Sequence, residues 1–546
     1  MFTDFKTKLA NRILFAILRR SAAGYRESTK RMKEVQEQYL LNLVKANAST
    51  LFGKERNFEN INCIEDYQKS VPISNYDDYR VYVERISLGE TNILTCDEVT
   101  KFSLSSGSAS ASKLIPNTKD LLKEFDRCIN VWLCDLYSRF PGLLGGKAFW
   151  IITPSGKREE QHSHIKTGFE NDSEYFSPLK RWFIKQIFAV PNDIPKLCTG
   201  NNYYFMLGVF LLKERNLRLV SVWNPSVFLI LLEKIVLYHK EIIHSIETGV
   251  LHLPEAQDKT SVELLARLLK PDNRRTQELK EIFSSEPNGS GLWKAVWKNL
   301  TLISAWDGAW ALYPAQQLQM LFPYVSFQGK GLLATEACIT FPVYGNNETY
   351  RFIPAFTSHF FEFQNTKTDE VSLLHELKQG ETYEVIVTTG GGFYRYRLFD
   401  LVSCTGYFED LPILEFRGKT DIVSDLAGEK LHEAHVQQVL GTIFKETGII
   451  PGVFFLAPTQ KQGKYGYCLY LQTETPFDMP ALALKLEEGL CQNFHYQHCR
   501  NLQQLLPATV KILSGSEAAS ALEQMFSDKK MGTTKFSVLR KEKDWE

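Results

Sequence analysis

The sequence predicts an α/β fold in two parts: a large N-terminal α/β body, in which β-sheets and helices pack together, and a small α+β C-terminal domain. Three observations support this. Apolar residues recur at helical spacing over much of residues 1–300, with short β-type runs between the helices. Short β-type runs dominate residues 300–408. Residues 420–546 have the order helix, strand, strand, helix, strand, so we predict domains at 1–419 and 420–546.

The first 50 residues are predicted to be helical because apolar residues recur there at the spacing of one helix face. A helix that packs on the body and turns a basic face to solvent is the favoured interpretation, and a helix that binds a membrane surface is the alternative. The apolar positions of the first helix are Phe5, Leu9, Ile13 and Ile17, and the basic ones are Lys6, Lys8, Arg12, Arg19 and Arg20.

The remaining elements follow from the same patterns of apolar residues. The polar segment 154–178 is predicted to be a surface loop. Helices are predicted over 119–137, 182–215, 226–248, 250–300, 431–446 and 479–493. Strands are predicted over 145–153, 218–222, 300–306, 452–457, 466–473 and 508–513, and in several runs between 340 and 408.

The charge balance and the cysteine pattern exclude several classes of protein. Lys and Arg number 63 and Asp and Glu number 63, so we expect no nucleic-acid partner. The ten cysteines include no Cys-x-x-Cys pair, which favours reduced thiols and a cytoplasmic location. The apolar run 13–18 is too short for a signal peptide, and no run reaches the roughly 20 apolar residues that span a membrane.

Two segments contain residue types that suit phosphate and metal binding. A run of small residues precedes Lys113 and would let backbone amides approach a phosphate, although a run of this composition is more often simply a flexible loop. Further on, Thr335 and Glu336 can place a hydroxyl on phosphate and a carboxylate on Mg²⁺, but a Thr that caps a helix has the same pattern. The run of small residues is Ser105, Ser106, Gly107, Ser108, Ala109, Ser110, Ala111 and Ser112.

Two later segments contain candidate ribose ligands. Three glycines at 390–392 allow a tight turn, and Asp400, at the start of a β-type run, can accept hydrogen bonds from ribose hydroxyls. The alternative is a glycine hairpin followed by a solvated strand. Arg417 lies in the segment Arg-Gly-Lys-Thr-Asp and can also hold ribose, but the segment is equally typical of a charged hinge or linker.

The order of these four segments resembles that of the adenylate-forming ligases, and more closely that of the auxin-responsive acyl acid–amido synthetase family. The Ser-rich loop stands where that family has an SSGT-type loop, and LLATEA corresponds to its [ST]-[ST]-E segment. TTGGGFYRYRLFDLV corresponds to its TTxxGLYRYRxGDVV block, and FRGKTDIVSDLAGEKLHE to its last motif before the C-terminal domain. The chain is therefore identified as a member, and a bacterial-type member is expected.

The resemblance implies a reaction in two steps that uses ATP and Mg²⁺. A carboxylic acid attacks ATP to give an acyl-adenylate and pyrophosphate, and an amine, usually that of an amino acid, then displaces AMP to give an amide. Lys535, from a mobile C-terminal domain, is the expected catalytic lysine. Ser105, Ser106, Gly107, Ser108 and Lys113 are implied to bind phosphate, Thr335 the α-phosphate, Glu336 the Mg²⁺, and Asp400 and Arg417 the ribose. Tyr394 is expected near the nucleotide, although Tyr396 is equally open as the residue that faces it.

Two positions depart from the family pattern. Ser108 replaces the usual Thr of the phosphate loop, and Phe399 replaces the glycine before Asp400. The acid pocket is expected in the N-terminal body, with residues 201–210 and the turn 223–226 as candidates. A monomer is expected.

The motifs leave two other functions open. An acyl–coenzyme A ligase shares the adenylation step and differs only in its acceptor. A non-catalytic binding protein could keep the fold with an altered phosphate loop.

Overall fold

The computed structural model describes residues 2–105, 113–150, 165, 178–286, 288–308, 311–345, 347–420, 422–461, 464–526 and 537–540. Helices and sheets alternate through the body, and a smaller α+β unit follows it, so the predicted fold class is confirmed. Most of the Ser-rich loop, most of the predicted loop 154–178, and Lys535 lie outside the described residues. Within the described residues, no helix is long and apolar enough to cross a membrane.

The chain begins with helices, as predicted. The first helix, however, buries Ala10, Leu14 and Leu18 and exposes most of the apolar face that the sequence marked for packing. Both faces carry apolar residues at helical spacing, so periodicity predicted the helix but not the face that meets the body. The helices are α1 (Phe2–Ser28), α2 (Met32–Ala46), α3 (Leu51–Glu55), α4 (Ile64–Ser70) and α5 (Tyr76–Ser87).

A two-stranded antiparallel sheet and a long helix follow. The strands β1 (Lys101–Ser105) and β2 (Lys113–Asn117) flank the Ser-rich loop, and helix α6 (Lys119–Arg139) comes next. Thr118 caps α6 by accepting a hydrogen bond from Leu121 N (3.0 Å). Its hydroxyl also donates to Gly390 O (2.8 Å), so the same residue begins the helix and fixes the glycine turn against it.

A four-stranded parallel sheet forms the centre of the body. Its strands pair in chain order: β3 (Lys147–Trp150), β4 (Leu217–Ser221), β5 (Leu302–Ala305) and β6 (Ser326–Gly329). Because all four strands run in the same direction, their carboxyl ends share one edge, which is where such sheets bind ligands. Helices that connect or flank these strands are α7 (Pro178–Ile187), α8 (Ile194–Leu197), α9 (Gly200–Lys213), α10 (Pro225–Leu237), α11 (His239–Thr248), α12 (Lys259–Leu268), α13 (Asn273–Ser285), α14 (Gly289–Val296) and α15 (Leu312–Leu321).

Antiparallel strands complete the body. The strands are β7 (Thr340–Val343), β8 (Arg351–Pro354), β9 (Phe360–Asn365), β10 (Val371–Leu373), β11 (Thr382–Thr388), β12 (Tyr396–Phe408) and β13 (Leu411–Lys419). β7 pairs with β8, and the other five form a sheet in the order β10-β9-β11-β12-β13. Arg417 and Lys419 end β13, so this part of the charged segment belongs to the sheet and is not a linker.

The C-terminal part matches its predicted element order and adds two helices that periodicity did not predict, α18 and α19. It begins with a small hairpin, and its main sheet has the order β16-β17-β18. The elements are β14 (Val423–Ser424), β15 (Leu431–His432), α16 (Glu433–Thr447), β16 (Pro451–Lys461), β17 (Lys464–Thr473), α17 (Met479–Leu490), α18 (Phe494–Asn501), β18 (Thr509–Ile512) and α19 (Gly515–Phe526).

Side chains of the body pack in the core of this C-terminal part, among them Ala311, Trp306 and Tyr313. The ring of Tyr313, from α15, lies 5.4 Å from that of Phe444 and 5.3 Å from that of Phe454, both edge to face. These contacts join α15 to α16 and β16 through aromatic packing.

The expectation that all cysteines are reduced is wrong for two of them. Cys128 of α6 forms a disulfide with Cys338, and their Cα atoms are 6.8 Å apart. The two residues are separated by 210 positions, so no spacing motif could have indicated the pair. The other eight cysteines form no disulfide.

Two glycine substitutions compare a crowded position after β6 with an open position in α16. A Cβ on Gly331 would lie 2.0 Å from Thr340 O, so we expect Gly331→Ala to lower the free energy of unfolding by about 1–3 kcal/mol. Gly441 lies inside α16 and a Cβ there meets no atom within 4 Å, so Gly441→Ala should stabilise by about 0.5–1 kcal/mol. Urea unfolding of both variants measures these shifts, and a stable Gly331→Ala protein would contradict the close approach.

Candidate active site

Thr335 and Glu336 lie at the tip of a tight turn that follows β6. A hydrogen bond from Ala334 N to Ala337 O (2.9 Å) closes the turn, and the chain does not enter a helix there. The alternative of a helix cap is therefore wrong. Thr335 is half-buried and Glu336 is only 6% exposed, so the carboxylate points into the protein.

Charged side chains from distant segments converge on Glu336. Burial raises the pKa of Glu336 above its ordinary value. The positive charges of Lys113 and Lys419 oppose this increase, and the negative charge of Asp400 adds to it. Lys113 begins β2, Asp400 lies in β12 and Lys419 ends β13, so folding brings four charges to one buried place.

Asp400 is completely buried, and Lys419 compensates its charge. The two residues are opposite each other in the pairing of β12 with β13, and Lys419 Nζ lies 3.2 Å from Asp400 Oδ1. Lys419 Nζ also donates to Leu398 O (3.1 Å), so the ammonium is held across the strand pair. Lys419 is not among the predicted site residues, because its position opposite Asp400 depends on a strand register that no local motif specifies.

Phe399 adopts the backbone conformation that a glycine usually provides. Its φ is 61°, in the left-handed region, where bulky side chains are rare. The ring lies 5.3 Å from the guanidinium carbon of Arg397 and 5.9 Å from Lys113 Nζ. The substitution of the family glycine therefore keeps the bend that precedes Asp400 and adds an aromatic ring between two cations.

The Ser-rich loop connects two paired strands. Ser105 ends β1 and pairs with Lys113, which begins β2, so the two ends of the loop lie side by side. Lys113 Nζ lies 5.7 Å from the Tyr76 ring centroid, which fixes the lysine near the base of the loop. Ser106, Gly107 and Ser108 lie outside the described residues, and their assignment to phosphate stays a prediction.

Arg417 faces a cavity of about 630 Å³. Its Nε donates to Ser403 Oγ (3.1 Å), and its Nη2 lies 3.1 Å from Glu415 Oε2. The same cavity is lined by Trp306, Asp307, Lys330 and Tyr350, at the carboxyl edge of the parallel sheet. Arg417 therefore lines this cavity, whereas the buried carboxylate of Asp400 contacts Lys419.

Lys330 follows β6 and lies in a box of tryptophans that the sequence analysis did not identify. Lys330 is 7% exposed, and its Nζ donates to Ser221 Oγ at the end of β4 (2.9 Å). The Nζ also lies within cation–π distance of three indole rings. The distances to the ring centroids are 4.4 Å for Trp223, 4.6 Å for Trp132 and 5.9 Å for Trp150.

Tyr394 lies in the core and does not line this cavity, so the structure lends no support to its predicted position next to the nucleotide. Its side chain is completely buried, stacks on Phe52 at 5.1 Å and donates its hydroxyl to Leu94 O (2.9 Å). Tyr79 of α5 hydrogen-bonds both the N–H and the carbonyl of residue 394. The aromatic run after the glycine turn is therefore core, fixed by α5 rather than by a ligand.

The glycine turn itself packs on α6. Gly390 N donates to Glu124 Oε1 (3.0 Å), and a Cβ on Gly390 would lie 2.5 Å from that oxygen. Glycine is required here for close approach to a helix side chain. Of the two acid-pocket candidates, 201–210 lies in α9, where Phe205 and Met206 are completely buried, so this candidate is core.

The chain just beyond Lys535 is anchored in the C-terminal part. Ser537 Oγ and Val538 N both donate to Glu433 Oε1, at 2.6 and 2.7 Å. Glu433 begins α16 and is buried, and burial raises its pKa. Lys535 lies outside the described residues, so its catalytic role stays a prediction. Among the residues that the structure describes, no group of three or more His, Cys, Asp or Glu side chains could hold a metal ion.

Known proteins share the sequence pattern. Indole-3-acetic acid-amido synthetase GH3.15 of Arabidopsis thaliana is 26% identical over 447 residues, which cover 74% of this chain and 71% of the relative. The 4-substituted benzoates-glutamate ligase GH3.12 of Arabidopsis thaliana is 23% identical over 529 residues, 87% of each chain. Both relatives are plant proteins, so they do not support the expected bacterial type.

The fold is also shared. The solved structure of the AtGH3.15 acyl acid amido synthetase in complex with 2,4-DB has a TM-score of 0.80 with this chain at 19% identity, covering 97% of this chain and 94% of that one. The model of the GH3 family N-terminal domain matches residues 22–327, more than half of the chain, and the model of the GH3 family central domain matches residues 352–419. The chain therefore belongs to the GH3 family.

Proposed function

We propose that this protein is an ATP-dependent acyl acid–amido synthetase, which joins a carboxylic acid to the amine of an amino acid. The observation that carries the proposal is the convergence of Lys113, Glu336, Asp400 and Lys419, from segments far apart in the chain, around one buried place. Membership of the GH3 family and the names of the amido synthetase relatives support the same reaction.

The first step joins a carboxylate to the α-phosphate of ATP and releases pyrophosphate. Both reactants are anions, so the site must supply positive charge where they meet. Lys113 and Lys419 supply that charge beside Glu336. Thr335, next to Glu336 on the same turn, would donate its hydroxyl to phosphate.

Glu336 would hold Mg²⁺. Magnesium is usually bound in nucleotide sites by one or two carboxylates together with phosphate oxygens, and a single buried carboxylate between two lysines fits that donor set. The bound ion would neutralise phosphate charge. Asp400, in the buried strand pair, and Arg417, in the cavity wall, would hold the ribose.

The acid would bind at the carboxyl edge of the parallel sheet, in the cavity of about 630 Å³ that Trp306, Tyr350 and Lys330 line. Indole faces suit an apolar or aromatic acid. In the second step an amine attacks the acyl-adenylate carbonyl, an amide forms and AMP leaves. A domain boundary between residues 419 and 420 is supported by the end of β13 and by the end of the central-domain match at the same residue.

Three further properties remain predictions: a monomer, a cytoplasmic location and a bacterial type. The relatives named above are plant proteins and lend the bacterial type no support.

An exchange assay tests the proposed function. Exchange of labelled pyrophosphate into ATP, measured over a panel of carboxylic acids, should appear only with acids that bind the pocket. Mass spectrometry with amino acids or coenzyme A as acceptor should then show an amide and no thioester. A thioester product would favour the coenzyme A ligase, and failure to bind ATP would favour a non-catalytic protein.

Glu336 should set the acidic limit of activity. Its pKa is raised by burial, so in the free enzyme it is protonated at a higher pH than an ordinary carboxyl, and its metal-binding charge is lost as the pH falls. Glu336→Gln should lower exchange by about 10²–10³-fold and remove this acidic limb from the profile of kcat/KM against pH. Glu59→Gln, at an exposed glutamate outside the cluster, is the control. An unchanged acidic limb in Glu336→Gln would assign it to another group.

Lys419 should stabilise the fold as well as the site. Lys419→Met leaves the buried Asp400 uncompensated, and we expect a loss of about 2–3 kcal/mol in the free energy of unfolding. The double variant Asp400→Asn with Lys419→Met should recover part of this loss. Arg85→Met, at an exposed pair with Glu90, should cost less than about 1 kcal/mol. Urea unfolding compares them, and equal losses for Lys419→Met and Arg85→Met would refute the buried pair.

Lys535 should act in adenylation and not in ATP binding. Lys535→Ala should lower acid-dependent pyrophosphate release by about 10²–10³-fold, the usual effect of removing a preorganised donor. ATP binding, measured by calorimetry, should persist. Lys530→Ala, five residues earlier in the same segment, is the matched control and should retain activity. Unchanged release in Lys535→Ala would remove this lysine from the mechanism.

A further inference from the structure

Helix α1 has two apolar faces, and only one of them packs on the protein. Ala10, Leu14 and Leu18 are buried, with exposed fractions of 1–4%. On the opposite side Phe5 is 64% exposed and Leu9 is 47% exposed. Exposed apolar side chains are common singly, but a row of them along one helix is a feature of interaction surfaces.

The exposed residues form one continuous stripe, which we call the α1 stripe. Phe5, Leu9 and Ile13 are four residues apart, so each advances about 40° around the helix and all three lie within about 80°. Ile13 is 39% exposed, which extends the stripe over more than two turns. The burial of Leu14 and Leu18 on the other side means that the helix cannot turn this stripe inward without unpacking the body.

Basic side chains border the α1 stripe. From Phe5 to Arg26 the helix has no acidic residue. Each of its basic residues at positions 6–20 is exposed. Long basic side chains can lie along an apolar surface while their charged ends reach an anionic one. These residues are Lys6, Lys8, Arg12, Arg19 and Arg20.

The neighbouring helix α7 also exposes an aromatic and a basic side chain. Thr7 Oγ1 donates to Gln186 O (3.1 Å), which ties α1 to α7. α7 exposes Trp182 (59%) and, one turn later, Lys185. Tryptophan and lysine together are typical of protein surfaces at the boundary between lipid and water.

We propose that the α1 stripe and its basic border bind an anionic phospholipid surface. A helix that exposes an apolar row between basic residues binds in the plane of such a surface, by inserting the row and by attraction to lipid charge. A second copy of this chain fits less well, because an isologous contact would place the basic borders of two α1 helices against each other. The inference goes beyond the proposed function, since α1 contributes no residue to the charged cluster at Glu336.

Vesicle sedimentation of the full chain tests the proposal. The protein should sediment with vesicles of phosphatidylcholine and phosphatidylserine, remain in solution with phosphatidylcholine alone, and dissociate at high salt. Leu9→Glu should reduce binding by about tenfold or more, and so should Lys6→Glu with Arg12→Glu. Leu484→Glu, at a residue 60% exposed in α17, is the matched control and should bind normally.

Three results would overturn the proposal: no binding of the wild-type chain to the anionic vesicles, equal binding to both vesicle types, or normal binding by Leu9→Glu. Wild-type self-association that Leu9→Glu abolishes, in a chain that does not bind vesicles, would show that a second copy covers the stripe. Pyrophosphate exchange by Leu9→Glu should remain normal, so that loss of vesicle binding is distinguished from failure of the proposed reaction or of folding.

Discussion

The candidate site depends on the compensation of two buried carboxylates by two lysines. Glu336 and Asp400 are both removed from water, and two carboxylates in such a place repel each other and lose hydration. Lys113 and Lys419 offset this cost only because β2, β12 and β13 hold them there. Both the sheet and the charge compensation at the site therefore require this register of β12 with β13. Phe399, whose backbone is in the left-handed region, bends β12 just before the buried Asp400.

The sequence predicts what depends on local pattern. The C-terminal order of helix and strand followed from periodicity, and Glu336 and Asp400 were recognisable because they occupy positions in ordered motifs. Strand register and the direction of side chains could not be predicted from local sequence pattern. Lys419 was visible in its motif, yet its place opposite Asp400 depends on irregularities in the pairing of two strands. Tyr394 lies in the expected motif, but its side chain packs in the core, and Tyr79 of α5 hydrogen-bonds its backbone there.

Contacts between residues far apart in the chain could not be predicted from local sequence patterns. The box around Lys330 draws its indoles from α6, from the end of β3 and from the turn after β4, and no motif relates these positions. The same is true of Cys128 and Cys338. Helix α1 shows a different limit. The spacing of its apolar residues correctly predicts a helix, but the helix has two apolar faces. Which face packs on the body depends on the shape of the body, and the helix sequence does not specify that shape.

The placement of Tyr313 has a consequence for the independence of the two parts of the chain. Its ring packs against both Phe444 and Phe454. A C-terminal fragment that lacks α15 would therefore have a cavity beside these two rings. Ala311 and Trp306 of the body pack in the same cluster, whereas a cavity of about 670 Å³ separates other parts of the two surfaces. The two parts therefore share a core at this contact, and separating them would expose the rings of Tyr313, Phe444 and Phe454 to water.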